Sequence, residues 1–307
     1  MPMEIMPIIE KMAVLVLLML IGFCCAKLGL TNAAFNQKVT PVVMNVLLVA
    51  TILNSVVSAE TVAGGIVLLE YFAAFAAMFF ISFLVAWGFA RLLRRDRDDE
   101  SVLRLTMMFP NNAFVGFPVV AAVFGEQAVF YAAISNIPFN ILLYTLGTAQ
   151  LRRTGTGRIA WKQIFTAPLI ATLAAAALYL THLPVPHVIG ETISVLGAAT
   201  IPMSMIIVGT SLGGIPARKA FGSLRVYAAA AVRLLVLPIA VWAILRLVIT
   251  DTVMLGIPVL IAACPSAMII TVLCITHGRD ESLSSEIIFT STVLCAVTMP
   301  FLAWLLF

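Results

Sequence analysis

The sequence predicts an all-α integral membrane protein with ten transmembrane helices, arranged as two inverted five-helix repeats whose fourth members are broken. Three observations carry this. Of the 307 residues, 62% are hydrophobic and only 10% charged, with a mean hydropathy of +1.11; a soluble domain has about 45–50% and about 25%. Lys and Arg gather in alternate loops between apolar stretches. Two proline-bearing breaks occupy matching places in the two halves of the chain.

The composition excludes whole classes of function. A soluble enzyme or a disordered chain has no way to cover this much apolar surface. A net charge of +4, scattered along the chain, is no footprint for nucleic acid. Lipid is the expected surrounding. A transmembrane helix needs about 20 apolar residues, and ten such stretches fall near 8–28, 39–58, 63–90, 102–124, 127–150, 164–182, 188–212, 220–248, 252–276 and 282–306. These are spans 1 to 10. The runs are continuous rather than alternating, which argues against a barrel.

Span 1 reads as a retained helix rather than a signal peptide. Glu4 and Glu10 precede it with only Lys11 to offset them, whereas a secretory leader begins net positive. The five cysteines (Cys24, Cys25, Cys264, Cys274, Cys295) all lie in spans, lack metal-site spacing, and read as packing residues.

Fifteen of the 18 basic residues fall in the odd-numbered loops: Lys27 and Lys38; Arg91, Arg94, Arg95, Arg97 and Arg104; Arg152, Arg153, Arg158 and Lys162; Arg218, Lys219 and Arg225; and Arg279. The alternate loops carry Glu60, Glu126, Glu191 and Asp251. The positive-inside rule then places the odd loops in the cytoplasm and both termini outside the cytoplasmic (inner) membrane. The run Asp96-Arg-Asp-Asp-Glu100 reads as a solvated juxtamembrane loop of loosely paired charges, since no second acidic motif completes a metal site.

The basic, Gly-rich linker 151–163 divides the chain into repeats 1–150 and 164–307. Five helices each is an odd number, so equal halves sit in opposite orientations, as in many secondary transporters. Span 4 contains Phe109-Pro-Asn-Asn-Ala-Phe-Val-Gly-Phe-Pro118, and span 9 contains Ala263-Cys-Pro-Ser-Ala267. Pro110 and Pro265 are 155 residues apart, each near the middle of its span. Proline removes a backbone donor and clashes with the preceding turn, and the freed backbone groups need partners other than lipid. Asn111, Asn112 and Ser266 stand beside them. Half-helix N-termini carry unpaired N–H groups and about half a positive charge, and suit an anion. Pro110, Asn111, Asn112, Gly116, Cys264, Pro265 and Ser266 are therefore substrate-binding candidates. Asn136 and Asn140, one turn apart in span 5, are added with Ser291 in span 10, which has Thr292 and Thr298 as companions.

Pro110-Asn-Asn-Ala-Phe-Val-Gly-Phe-Pro118 followed by Phe124-Gly125, together with Pro265-Ser-Ala267, Asp280, Ser291-Thr292, Thr298 and Pro300, resembles the signatures of the auxin efflux carrier family. Pro202, Gly209 and Leu212 are similar to its seventh helix. The family includes plant PIN-type auxin carriers and bacterial members linked to malate or malonate. The resemblance implies ten helices with helices 4 and 9 crossing at their breaks. It implies a scaffold of helices 1, 2, 6 and 7, often dimeric, and a transport unit of helices 3–5 and 8–10 that moves elevator-fashion. It also implies that Asn111 or Asn112 donates to a substrate carboxylate.

Ionisable residues inside spans are functional candidates. Glu286 reads either as a proton-exchanging carboxyl or as a hydrated residue near the surface. Asp280 lies just before its helix. Arg233 in span 8 reads as snorkelling to the surface, with an anionic substrate or Glu286 as the competing partners. No Arg or Lys adjoins either proline break in sequence, which favours a monoanion. These coupling candidates complete the expectation of a secondary transporter for a small organic anion, with no metal, cofactor or covalent chemistry. A sodium-coupled symporter of the bile-acid type is the runner-up, and a channel or sensor a further class. An intramembrane enzyme would need a second acid or a buried base at the depth of Glu286, and the spans supply neither.

Overall fold

The structure, a computed structural model, describes residues 5–58, 65–152, 161–214, 223–279 and 281–306. Glu60, Arg153, Arg158, Arg218, Lys219 and Asp280 lie outside the described residues, as does most of the linker. The chain is helical: α1 (Ile5–Lys27), α2 (Ala33–Val57), α3 (Gly65–Leu93), α4 (Arg97–Met108), α5 (Asn112–Phe124), α6 (Ala128–Leu151), α7 (Ala167–Thr181), α8 (His187–Gly214), α9 (Leu224–Leu245), α10 (Thr252–Ala262), α11 (Ile269–Thr276) and α12 (Glu281–Leu306). Seven of these are long and apolar enough to cross a membrane: α1, α2, α3, α6, α8, α9 and α12. The shorter α5, α7 and α10 are also apolar. The 15 residues of α7 reach about 22 Å at 1.5 Å per residue, less than a bilayer core of about 30 Å.

Local chemistry sets the ends. Asn32, Asp96, Thr166 and Asp251 cap α2, α4, α7 and α10, each accepting from a backbone N–H three residues on. Gly125, at φ 91°, ends α5 in a conformation closed to side chains with a Cβ. Widened π-type turns at Asn112–Gly116 and Val232–Val236 each end two residues before a proline, Pro118 and Pro238. A proline offers no N–H to the carbonyl four residues back, and the preceding turn loosens to accommodate it.

The backbone separates into two compact units. The first comprises residues 1–72, 113–136 and 165–215. Here α1 lies backbone to backbone against α8. A Cβ on Gly209 would stand 1.9 Å from the Met19 carbonyl oxygen, and one on Gly22 would stand 2.4 Å from that of Ile206. Small residues permit this approach, which substitutes dispersion for the hydrophobic drive that lipid abolishes. Hydroxyls and amides lace the same helices. Thr31 and Thr210 meet at 2.9 Å, Asn36 donates to Ser211 at 2.9 Å, and Thr51 donates to Thr200 at 2.7 Å. Tyr71 stacks on Tyr131 with ring centroids 4.5 Å apart.

The second unit comprises residues 73–112, 137–164 and 216–307. Phe79, Phe109 and Phe139 form an aromatic knot at its middle, with centroids 5.4 to 6.2 Å apart. At one end lies an ionic cluster, and it corrects the reading of 96–100 as a solvated loop. Asp98, Asp99 and Glu100 form the first turn of α4, where carboxylates favour the helix dipole. Asp99 and Glu100 are buried. Glu100 pairs with Arg91, Arg94 and Arg104; Asp99 pairs with Arg225 of α9; Asp98 pairs with Arg279 beyond α11. Arg279 also donates to the Leu151 carbonyl at 2.7 Å, and Arg104 to Gln150 Oε1 at 2.7 Å. The acidic run therefore ties five segments together. For Glu100, burial pushes the carboxyl up. The hydrogen bond from Arg94 and the charges of Arg104, Arg94 and Arg91 outweigh that and hold it below the usual carboxylate value.

The crossing of two broken helices as the candidate functional site

Both breaks lie in the second unit and meet there. The chain leaves helix after Met108 and again after Ala262, each time ahead of a proline. Pro110 and Ser266 then face each other as an isolated antiparallel pair. The Asn111 N–H donates to the Pro265 carbonyl at 2.8 Å, and the Ala267 N–H donates to the Phe109 carbonyl at 3.0 Å. Pro110 thus occupies a non-hydrogen-bonded position, where its missing N–H is not needed. Pro265 contributes only its carbonyl. The Ser266 N–H, which the pairing leaves free, donates to Ser291 Oγ of α12 at 3.2 Å.

Two helix C-termini end here, and their carbonyls have no intrahelical donors. Side chains supply them. Ser266 Oγ donates to the Thr106 carbonyl at 2.7 Å. Arg233 Nε donates to the Cys264 carbonyl at 3.0 Å, and Arg233 Nη1 donates to the Met107 carbonyl at 3.1 Å. Arg233 is fully buried, at 0% exposure, so it does not snorkel. It forms no ion pair among the described residues, so the pair with Glu286 is not formed either. The expectation that no Arg adjoins a proline break holds along the chain and fails in space. The loosened turn Val232–Val236 contains Arg233. Pro238, five residues on, was the available signal, but nothing local names a partner 126 residues away.

The remaining candidates fall as follows. Asn111 and Asn112 are buried, Asn112 opening α5. Gly116 is buried in the first unit at the end of its π turn. The Cys264 thiol donates to the Leu260 carbonyl at 3.3 Å. Ser291 Oγ donates to the Ile288 carbonyl at 3.0 Å while accepting from Ser266. Asn136, in the first unit, is buried and donates to Thr172 Oγ1 at 3.4 Å. Asn140, in the second, is also buried. Thr292 bonds back to the Ile288 carbonyl at 2.6 Å. Glu286 is partly exposed and accepts from Ser282 Oγ at 3.3 Å. Sequence reasoning missed Thr106 and Met107, which act only through their carbonyls and carry no side-chain signal for it.

Seven long apolar helices, together with two shorter, interrupted ones joined at a polar crossing, mark a multi-pass membrane protein. The family model described as "Membrane transport protein" matches residues 7–160 and 152–303. The chain belongs to that family, the auxin efflux carriers. It is similar to an uncharacterized transporter of Methanothermobacter thermautotrophicus, 27% identical over 95% of this chain and 96% of the relative. It is also similar to an uncharacterized transporter of Methanocaldococcus jannaschii, 26% identical over 66% of this chain and 68% of the relative.

Proposed function

We propose that the protein is a secondary transporter of a small organic anion, a carboxylate, bound at the crossing of the broken helices. The observation that carries the reading is the charge balance there. Within three residues of the Pro110–Ser266 pair, helices begin at Asn112 and Ile269. Each helix start carries about half a positive charge, which suits an anion. Beside the same pair lies the buried guanidinium of Arg233, with no carboxylate against it among the described residues. The buried side-chain amides of Asn111 and Asn112 lie beside the same pair.

The chain spans the membrane ten times in two inverted five-helix repeats, a reading supported by α5, α7 and α10 as shorter apolar helices beside the seven long ones. Access alternates elevator-fashion. Spans 1, 2, 6 and 7 serve as the scaffold and dimer face, a division supported by α1, α2, α7 and α8 falling in one compact unit. The basic-loop bias supports both termini outside.

The test is thermal unfolding of the purified protein against mono- and dicarboxylates, with Asn112→Ala alongside. A ligand at about 100 times its Kd stabilises the folded state by about 2.7 kcal/mol. Losing one hydrogen bond to a charged group costs about 1.5–3 kcal/mol, or roughly 10- to 150-fold in affinity. A stabilising carboxylate whose effect is lost in Asn112→Ala supports the site. Equal shifts in both proteins move it elsewhere, and no shift with any carboxylate removes the organic anion. Saturable uptake with counterflow in vesicles separates a carrier from a channel.

A further inference from the structure

Arg233 is the most deeply buried charge among the described residues, and its partners are unusual. A buried guanidinium without a counter-charge is strongly disfavoured. Yet no carboxylate pairs with Arg233 among the described residues, and its Nη2 is buried without a hydrogen-bond partner there. What it does touch are backbone carbonyls: Met107 in the last turn of α4 and Cys264 just past the end of α10. A helix C-terminus carries about half a negative charge. Two of them together present about one unit, which a single monovalent cation balances.

Carbonyl oxygens at interrupted helix ends are also the groups that hold a coupling sodium ion or proton in broken-helix transporters generally. We propose that Arg233 is a tethered cation: its guanidinium permanently fills, between the ends of α4 and α10, the place of a mobile alkali ion. The two carbonyl-bearing helix ends then stay balanced whatever the sodium concentration, and no sodium ion binds there. The proposal rests on the transporter reading only for its consequence in coupling; its binding content stands whether or not the substrate is an anion.

The experiment uses the purified full chain without any carboxylate. Thermal unfolding is measured in sodium, potassium and choline chloride at one ionic strength. The wild type is expected to melt at the same temperature in all three. Arg233→Ala opens a hole beside the two carbonyls. It should melt lower in choline, and regain part of the loss with sodium or with guanidinium at concentrations too low to perturb the wild type. Arg233→Lys should fold and stay indifferent to the cation. Arg233→Met, of similar length without charge, should melt well below Arg233→Lys.

A sodium-specific stabilisation of the wild type overturns the proposal, because a mobile ion then binds beside the arginine. So does an Arg233→Met protein as stable as Arg233→Lys, because the charge is then irrelevant. An Arg233→Ala protein that folds but responds to no small cation more than the wild type does also overturns it. Should Arg233→Ala fail to fold, the wild-type salt series and the Lys–Met comparison still decide. Failure of the carboxylate reading leaves each of these results unchanged.

Discussion

Replacing Gly209 with alanine tests whether the α1–α8 seam is held by backbone contact. The new methyl would stand 1.9 Å from the Met19 carbonyl oxygen and 2.8 Å from the Phe23 nitrogen. That is roughly 1.5 Å short of ordinary contact, and the obstructing atoms are main chain, with no flexible side chain to swing aside. Helix α1 has to recede, and the seam opens along its length. Gly213, whose own Cβ would meet the Ala26 methyl at 2.6 Å, loses its close packing, and the 2.9 Å Thr31–Thr210 bond stretches. Overpacking of this kind costs about 1–3 kcal/mol and occasionally more. At about 2–4 °C per kcal/mol, the melting temperature should fall by roughly 2–12 °C. Gly88→Ala is the control. Gly88 lies inside α3 with nothing beyond its own stretch of helix within 4 Å of its would-be Cβ, so the change should be neutral or stabilising by about 0.4–1 kcal/mol. The assay is thermal unfolding of both variants in the same detergent. A Gly209→Ala protein that melts with or above the wild type would refute the backbone-contact argument.

The other predictions concern the second unit. Ser266→Ala removes the donor to the Thr106 carbonyl and leaves that carbonyl buried; a loss of about 1–3 kcal/mol is expected in the same unfolding assay. Glu100→Gln should lower the melting temperature at neutral pH, and the gap should depend on pH. The Glu100 carboxyl is held below its ordinary value in the folded protein. Its contribution is therefore complete above the unfolded-state pKa of about 4.3 and is lost as pH falls through the folded value. A gap that instead widens toward acid would contradict that assignment. Asp99→Asn should weaken the hold of α4 on α9 through Arg225, read as faster proteolysis or amide exchange at the start of α9.

Local chemistry made part of this molecule legible in its residues. Pro110 and Pro265 act on their own backbone, so the breaks could be located without knowing any neighbour. The capping role of Asp96 follows the same logic, yet the run it opens reads as a loop because its charges lie ahead of the apolar stretch that marks the span. The burial of Asp99 and Glu100 depends on arginines far along the chain. Arg225 lies 126 residues from Asp99, and Arg279 lies 181 residues from Asp98. Arg233 fails for a related reason. Its distance from Arg225 in sequence suggests snorkelling, but the orphaned carbonyls that draw it inward exist only after two distant helices have ended beside it. Side-chain candidates such as Ser266 and Ser291 could be named from polarity; their bond to each other could not.

The ionic cluster on α4 has a bearing on how the chain comes to be oriented. Arg91, Arg94, Arg104, Arg225 and Arg279 belong to the loops whose basic bias gives the proposed topology, and in the folded unit all five are engaged by Asp98, Asp99 and Glu100. The same residues therefore have two readers at two times. The insertion machinery meets Arg225 and Arg279 as free cations on a nascent chain, before they have reached Asp99 and Asp98 on a distant segment, whereas Arg91, Arg94 and Arg104 have Glu100 close by in sequence. In the finished protein the carboxylates hold all five, with Arg91 and Arg94 still partly exposed, so this face is less cationic than its arginines alone would make it. Neutralising one of these arginines would then act twice, once on the choice of orientation during synthesis and once on the cohesion of the folded unit, and the two effects would separate in time.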